Sequence, residues 1–175
     1  MYSPAEVARR YVETGKSKAA LPVGRMLLLG MLAGAFIALA GGSATFAVSY
    51  GGRLAGAAVF PAGLAMVLLA GSELFTGNCL LVIPLLERQL TWGRMLRSWG
   101  VVYLANVLGA GLVAALTVAA GTFDGVYESV VATAAAKAGL PFLTALLRGV
   151  LCNFLVCIAV WMSLAAQSVP GKLAA

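Results

Sequence analysis

Eight residues near the middle of the chain, Gly71-Ser72-Glu73-Leu74-Phe75-Thr76-Gly77-Asn78, bring together two glycines, a carboxylate, two hydroxyls and an amide. They sit inside one long apolar stretch, Leu54 to Leu86, whose flanks Ala55–Ala70 and Cys79–Leu86 read as bilayer-spanning helix. Irregular backbone survives in hydrocarbon only where it is buried in protein or lines a cavity. A polar break between Gly71 and Gly77 inside a spanning helix is therefore a candidate for a pore or a binding site. The simpler alternative is a kinked helix whose Ser72 and Thr76 hydroxyls bond back to their own turn. That alternative leaves Glu73 without a partner. A bare carboxylate at this depth costs roughly 2.5–3.5 kcal/mol on insertion scales, so Glu73 must be paired, hydrogen-bonded or protonated. Arg148 in the last apolar segment is one candidate partner, although snorkelling to the outer interface suits its long side chain better.

Other residues extend the chemistry of the break. Thr76 offers a hydroxyl donor, and free N–H groups at the start of the second half-helix would favour an anion. Phe60 and Leu64 lie four residues apart on one face upstream, and Phe75 lies within the break. Such side chains can form apolar gates that stop ions by dewetting, or they can simply face lipid or pack. Asn153 is a buried amide, suited to an interhelical hydrogen bond or to donating to a substrate. Cys79, Cys152 and Cys157 lie in apolar segments without metal-ligand spacing and read as small buried hydrophobes. Histidine is absent from the sequence, which excludes histidine-based triads and HExxH zinc sites. Ser72 or Ser163 as a nucleophile would lack a base other than Lys137, which falls in a loop. Neither an enzyme nor a cofactor is expected.

The elements that position these residues follow from composition. The 175 residues are 62% hydrophobic and 10% charged, with a mean hydropathy of +0.98. A soluble domain of this length cannot hide so much apolar surface. The sequence predicts an all-α integral membrane protein with four crossings, at about 25–49, 54–86, 95–120 and 141–166, the second of them broken. No signal peptide is expected, since the first twenty residues are polar. Residues 1–20 predict a cytoplasmic amphipathic helix and residues 21–175 a transmembrane domain. Ser3 is a capping residue with Pro4 at the first helical position. Ala5, Val7, Ala8, Tyr11 and Val12 form an apolar side opposite Glu6, Arg9, Arg10, Glu13 and Lys16. Such a helix lies on the membrane surface, packs beneath the bundle or stands as a solvated leader.

Gly30-x-x-x-Gly34 in the first crossing lets helix backbones approach closely. Tyr50-Gly51-Gly52-Arg53 reads as a tight turn. Trp92, Trp99 and Tyr103 read as interfacial anchors of the third crossing, and 121–140 as a more polar connection. Gln167–Lys172 is a turn, and Leu173-Ala174-Ala175 read as the beginning of a further segment. The net charge of +6 reflects loop topology rather than nucleic-acid binding. With the N-terminus inside, Arg9, Arg10, Lys16, Lys18, Arg25, Arg88, Arg94, Arg97 and Lys172 face inward, against Arg53 and Lys137 outside. The positive-inside rule favours that orientation, in a cell membrane.

Taken together, Gly71-x-Glu73-Leu74-Phe75-Thr76, Leu90-Thr91-Trp92-Gly93, Trp99-x3-Tyr103-x2-Asn106-x2-Gly109 and Asn153–Ser163 resemble the formate/nitrite transporter family. The likeness runs in consistent order along nearly the whole chain. It implies an aquaporin-like bundle of six helices, with the second and fifth broken, assembled as homopentamers with one pore per subunit. By resemblance, Phe60, Leu64 and Phe75 match pore constrictions, Val156 a lining position, and Thr76 the hydroxyl of the central site. Lys137 and Asn153 match residues that make that site positive, while Gly71, Glu73 and Gly77 shape the break. The family's protonating histidine belongs to the fifth helix, and the sequence reads as a piece that stops before it, with four of six crossings. The implied activity is a channel or transporter for formate, nitrite or hydrosulfide, the anion permeating with a proton as the neutral acid. Three other readings stand beside it. One is a neutral-solute pore of aquaporin type, which expects paired Asn-Pro-Ala caps that the sequence lacks. The others are a structural membrane subunit, which leaves Glu73 and Thr76 unexplained, and a non-transporting fragment.

Overall fold

The computed structural model describes residues 1–174; Ala175, the last residue of the expected further segment, lies outside them. Among the described residues the chain is helical throughout, in the order α1 (Pro4–Ala19), α2 (Val23–Val59), α3 (Ala62–Ala70), α4 (Phe75–Asn78), α5 (Val82–Leu86), α6 (Trp92–Ala119), α7 (Tyr127–Ala138), α8 (Phe142–Ala165) and α9 (Val169–Ala174).

α2 is two arms rather than one rod. Gly52 sits at φ 74°, ψ −177°, a conformation that only glycine adopts without strain. Beyond it the chain doubles back, so that Gly56 packs on Val48 and Ala44, and Gly63 on Ala40 and Ile37. The expected turn at Tyr50–Arg53 is this reversal. Three helical stretches are long and apolar enough to cross a membrane, Val23–Ala70, α6 and α8, and the reversal at Gly52 divides the first of them into two arms. The second arm is interrupted twice, the first time only mildly. Pro61, which has no N–H to give the ladder, kinks it at Phe60–Pro61, where both residues keep right-handed helical angles and the sequence predicts continuous helix from Ala55. The chain breaks again at Gly71, which is left-handed at φ 65°.

The second interruption is shorter than the sequence predicts. Helix resumes at Phe75, not Cys79, so only Gly71–Leu74 is irregular. Phe75, Thr76, Gly77 and Asn78 form the first turn of the second half-helix. The connection after α6 is also more regular than expected. It folds as a 3-10 turn and α7, which places Lys137 in a last helical turn rather than a loop.

α1 packs beneath the bundle. Ser3 Oγ accepts from the Glu6 N–H at 3.4 Å, and Val7, Tyr11, Gly15 and Ala19 form a buried stripe at four-residue spacing. A Cβ at Gly15 would meet Pro84 Cγ at 2.8 Å, so the missing side chain lets α1 cross close under α5. Ala19, Leu81, Leu90 and Met95 close a buried cluster there. Arg97 then donates to the carbonyls of Ala19 and Leu21, at 2.8 and 3.1 Å. These are the orphan acceptors at the end of α1, where a cation is also favoured by the helix dipole.

α2 and α6 approach most closely. A Cβ on Gly34 would run into the backbone of Asn106, and one on Gly109 into the backbone of Met31. The Gly30/Gly34 pattern therefore meets a complementary Ala105/Gly109 seam, and the two backbones touch.

Candidate functional site

Glu73 is 4% exposed, so its carboxylate needs partners inside the protein. It finds them on an element far away in sequence. Lys18, near the end of α1, donates to Glu73 Oε1 at 2.9 Å and to Asn78 Oδ1 at 3.2 Å. Asn78 in turn donates to Glu73 Oε2 at 2.8 Å and reaches Ser98 Oγ at 3.4 Å. Arg148, the alternative partner, is not involved: it is exposed on α8, as a side chain reaching outward would be, and makes no ion pair among the described residues. Lys18 is likewise not a loop charge at the surface, because the docking of α1 aims it into the break. Tyr11 adds a second tie from α1, its hydroxyl donating to the Gly77 carbonyl at 3.4 Å. Burial first, then the Glu73 carboxylate, hold the Tyr11 phenol above its ordinary pKa, so it remains a donor.

The backbone of the break is almost fully accounted for. The N–H groups of Ser72 and Glu73 donate to Val67 O and Leu29 O, each at 3.1 Å. Asn106 on α6 accepts from the Phe75 N–H at 2.9 Å and donates to Glu73 O at 2.9 Å and Gly30 O at 2.8 Å. Ser72 bonds back to Val67 O at 3.4 Å, as the kinked-helix alternative expects. The left-handed Gly71 and extended Leu74 nevertheless make this a true break. Because Asn106 has taken the Phe75 amide, the free N–H groups at the half-helix start are those of Thr76 and Gly77, which have no backbone acceptor among the described residues.

Two cavities meet at the break. The inner one, about 170 Å³, is lined by Tyr11, Thr14, Lys18, Ser72, Glu73 and Asn78 on its polar side. The other is an apolar groove of about 540 Å³ between α3 and α8. Leu64, Leu68 and Leu74 line both, so the two spaces are divided by three leucine side chains. Of the residues singled out from sequence, Phe60, Leu64, Thr76 and Val156 come together around the apolar groove. Gly71, Glu73 and Gly77 line the inner cavity.

Phe75 does not join them. Its ring lies edge-on to Trp99 and Tyr103, with centroids 6.1 and 5.3 Å apart. Trp99 is correspondingly no interfacial anchor, since its indole N–H donates to Asn78 O at 2.8 Å. Trp92, 65% exposed, keeps the anchoring position. Lys137 is exposed on α7 and lines neither cavity. Asn153 faces the half-helix from α8, its Oδ1 buried without a partner among the described residues. Beside it, Cys157 Sγ reaches Thr76 O at 3.4 Å, whereas Cys152 is exposed and lines the apolar groove.

Sequence reasoning missed Lys18, Leu68, Leu74, Asn78 and Asn106 as site residues. Leu74 and Asn78 stand inside the motif itself, and Asn106 is a lone amide in an apolar helix. Those were the available signals. Lys18 gave none, being one of two lysines in the last turn of a polar helix.

Residues 5–175 match the family described as Formate/nitrite transporter. The chain is 39% identical over 181 residues to "Uncharacterized transporter YrhG" of Bacillus subtilis, covering 97% of this chain and 68% of that protein. It is 34% identical to "Probable formate transporter" of Methanothermobacter thermautotrophicus (98% and 72% covered) and 32% identical to "Formate channel FocA" of Escherichia coli K12 (97% and 63%). Among solved structures it is similar to one described as "FNT family ion channel", with a TM-score of 0.83 at 26% identity over 97% of this chain and 72% of that one. The chain thus spans about two thirds of the length of these relatives.

Proposed function

Since this chain belongs to the formate/nitrite transporter family, we propose that it builds the pathway by which a small monovalent anion, formate, nitrite or hydrosulfide, crosses a membrane together with a proton. The observation that carries the reading is the pair of cavities that share Leu64, Leu68 and Leu74, the smaller with Lys18, Glu73 and Asn78 set into a largely apolar lining and the larger more apolar still. Beyond the Arg10–Glu6, Lys16–Glu13 and Lys18–Glu73 pairs, the basic residues expected on the inner side outnumber the acidic ones, and their field draws an anion toward the inner cavity. A bare charge between three leucine side chains loses its hydration and gains no partner, which costs several kcal/mol. The neutral acid loses far less. Thr76, whose hydroxyl makes no hydrogen bond among the described residues, then offers a donor as the solute leaves the leucine waist. The Lys18–Glu73 pair holds the break in place without adding net charge to it.

The same charge asymmetry supports a cell-membrane orientation with the N-terminus in the cytoplasm. The broad apolar faces of α6 and α8, where Leu104, Leu108, Leu147, Leu151 and Leu155 stand more than half exposed, support lipid or neighbouring subunits of a homopentamer around the bundle.

The test is flux of labelled formate into liposomes carrying the full-length protein, across a range of external pH. Flux rises about tenfold per unit of acidification while the anion is the dominant form, because the neutral acid grows in that proportion. Flux insensitive to pH removes the proton from the mechanism. Glycerol flux as large as formate flux replaces the reading with a neutral-solute pore.

A further inference from the structure

We propose that Asn106 is a positioning residue that sets the size selectivity of the pathway, by fixing Leu74 in the wall between the two cavities. This inference rests on the anion-pathway reading above and deepens it.

Leu74 is the residue of the break whose side chain lines both cavities. Its backbone has no helix to hold it, lying at φ −104°, ψ 128° between two half-helices. What holds it is the pair of residues on either side. Glu73 is tied through its N–H to Leu29 O at 3.1 Å and through its carbonyl to Asn106 Nδ2 at 2.9 Å. Phe75 is tied through its N–H to Asn106 Oδ1 at 2.9 Å. One primary amide therefore grips the chain immediately before and immediately after Leu74. Its donor is also anchored to Gly30 O at 2.8 Å, so the grip is referenced to α2 and α6 at once.

Those two helices form the tightest seam in the molecule, with backbone against backbone at Gly34 and Gly109. An anchor seated there moves little. Phe75 completes the arrangement, because its ring is braced edge-on by Trp99 and Tyr103 of the same helix α6. The backbone ties immediately before and after Leu74 thus all lead to α2 or α6, and Leu74 lines the two cavities together with Leu64 and Leu68 of α3. A displacement of one ångström at the clamp is a displacement of comparable size in the leucine waist. A gap that admits a one-carbon acid then admits a larger one.

A buried amide that only stabilises the fold would, when replaced, lower the amount of working protein and leave its preference between solutes unchanged. Selectivity is therefore the readout. Formate and lactate influx are measured side by side into liposomes carrying the full-length protein, for the parent and for Asn106→Leu and Asn106→Gln. Leucine removes all three bonds at similar volume. Glutamine keeps the same donors and acceptor on a stem one methylene longer, so it preserves the chemistry and shifts the position.

The expected result is a lactate-to-formate flux ratio raised about tenfold in Asn106→Leu and raised in the same direction in Asn106→Gln. If the leucine variant does not fold, the glutamine variant decides. A ratio equal to the parent's in whichever variant folds overturns the proposal, even if both fluxes fall. A parent protein that carries neither anion overturns the underlying pathway reading instead.

Discussion

Replacing Lys18 with methionine removes one end of the buried pair that joins α1 to the break and keeps nearly the whole aliphatic stem. The partners are 2.9 Å apart, with the Glu73 side chain 5% and the Lys18 side chain 26% exposed. At that distance the attraction is about 6 kcal/mol with an effective dielectric constant of about 20. The desolvation of two ions opposes it by several kcal/mol each. The intact pair therefore nets little. Methionine removes the attraction and leaves the desolvation of Glu73 in place, so the loss is about 3–5 kcal/mol. Asn78 still donates to Glu73 Oε2 at 2.8 Å, which keeps the effect inside that range. For a chain of this length, that loss lowers the unfolding midpoint by roughly 6–20 °C. Thermal unfolding of the detergent-purified full-length protein measures it. Adding Glu73→Gln to the Lys18→Met background removes the stranded charge and recovers more than half of the loss. A single variant within about 2 °C of the parent, or a double variant no more stable than Lys18→Met, refutes the argument.

Three further outcomes follow from the same geometry. Thr76→Val takes away a hydroxyl that faces the apolar groove without a protein partner, so formate flux drops at least about tenfold while the unfolding midpoint stays put; unchanged flux removes Thr76 from the pathway. Gly109→Val drives a side chain into the Met31 backbone and forces α2 and α6 apart, costing about 1–3 kcal/mol or more; normal yield and stability of that variant in a folding assay would contradict the seam. The Tyr11 phenol is pushed up by burial and then by Glu73, so the docked state keeps its proton longer than the undocked one. Docking of α1 is therefore flat below about pH 10, the ordinary tyrosine value, and weakens as pH rises above it. Amide exchange along α1 tracks this, and the alkaline loss should vanish in Tyr11→Phe.

Local physics wrote much of this protein legibly into its sequence. Ser3 and Pro4 start α1 where the capping rules put it, because a cap is decided by neighbours in the chain. The membrane-length helices follow from long apolar runs, and the reversal at Gly52 from the freedom of glycine. The break at Gly71 was visible because polar groups at mid-membrane depth are costly wherever the fold places them. The extent of that break was not visible. Helix resumes at Phe75 because Asn106, 31 residues away, takes its N–H, and no local pattern announces a cap supplied by another helix.

The partner of Glu73 was hidden for the same reason. Lys18 lies 55 residues from it in a polar helix whose sequence is compatible with lying on a membrane, packing under the bundle or standing in water. Only the docking of α1, through Gly15 over Pro84, Tyr11 on Gly77 and Arg97 on Ala19 and Leu21, aims that lysine inward. Phe75 shows the converse limit. Its place in a motif said that it sits at the break, but a half-helix turns its residues through 100° each, and packing against Trp99 and Tyr103 chose the direction. The sequence by itself determined which segments are long and apolar enough to span a bilayer and that a carboxylate among them must be neutralised, since those costs depend on residue type. The tertiary structure decided which lysine neutralises it, which amide clamps the broken backbone and which leucines the two cavities share, since those depend on contacts between helices distant in the chain.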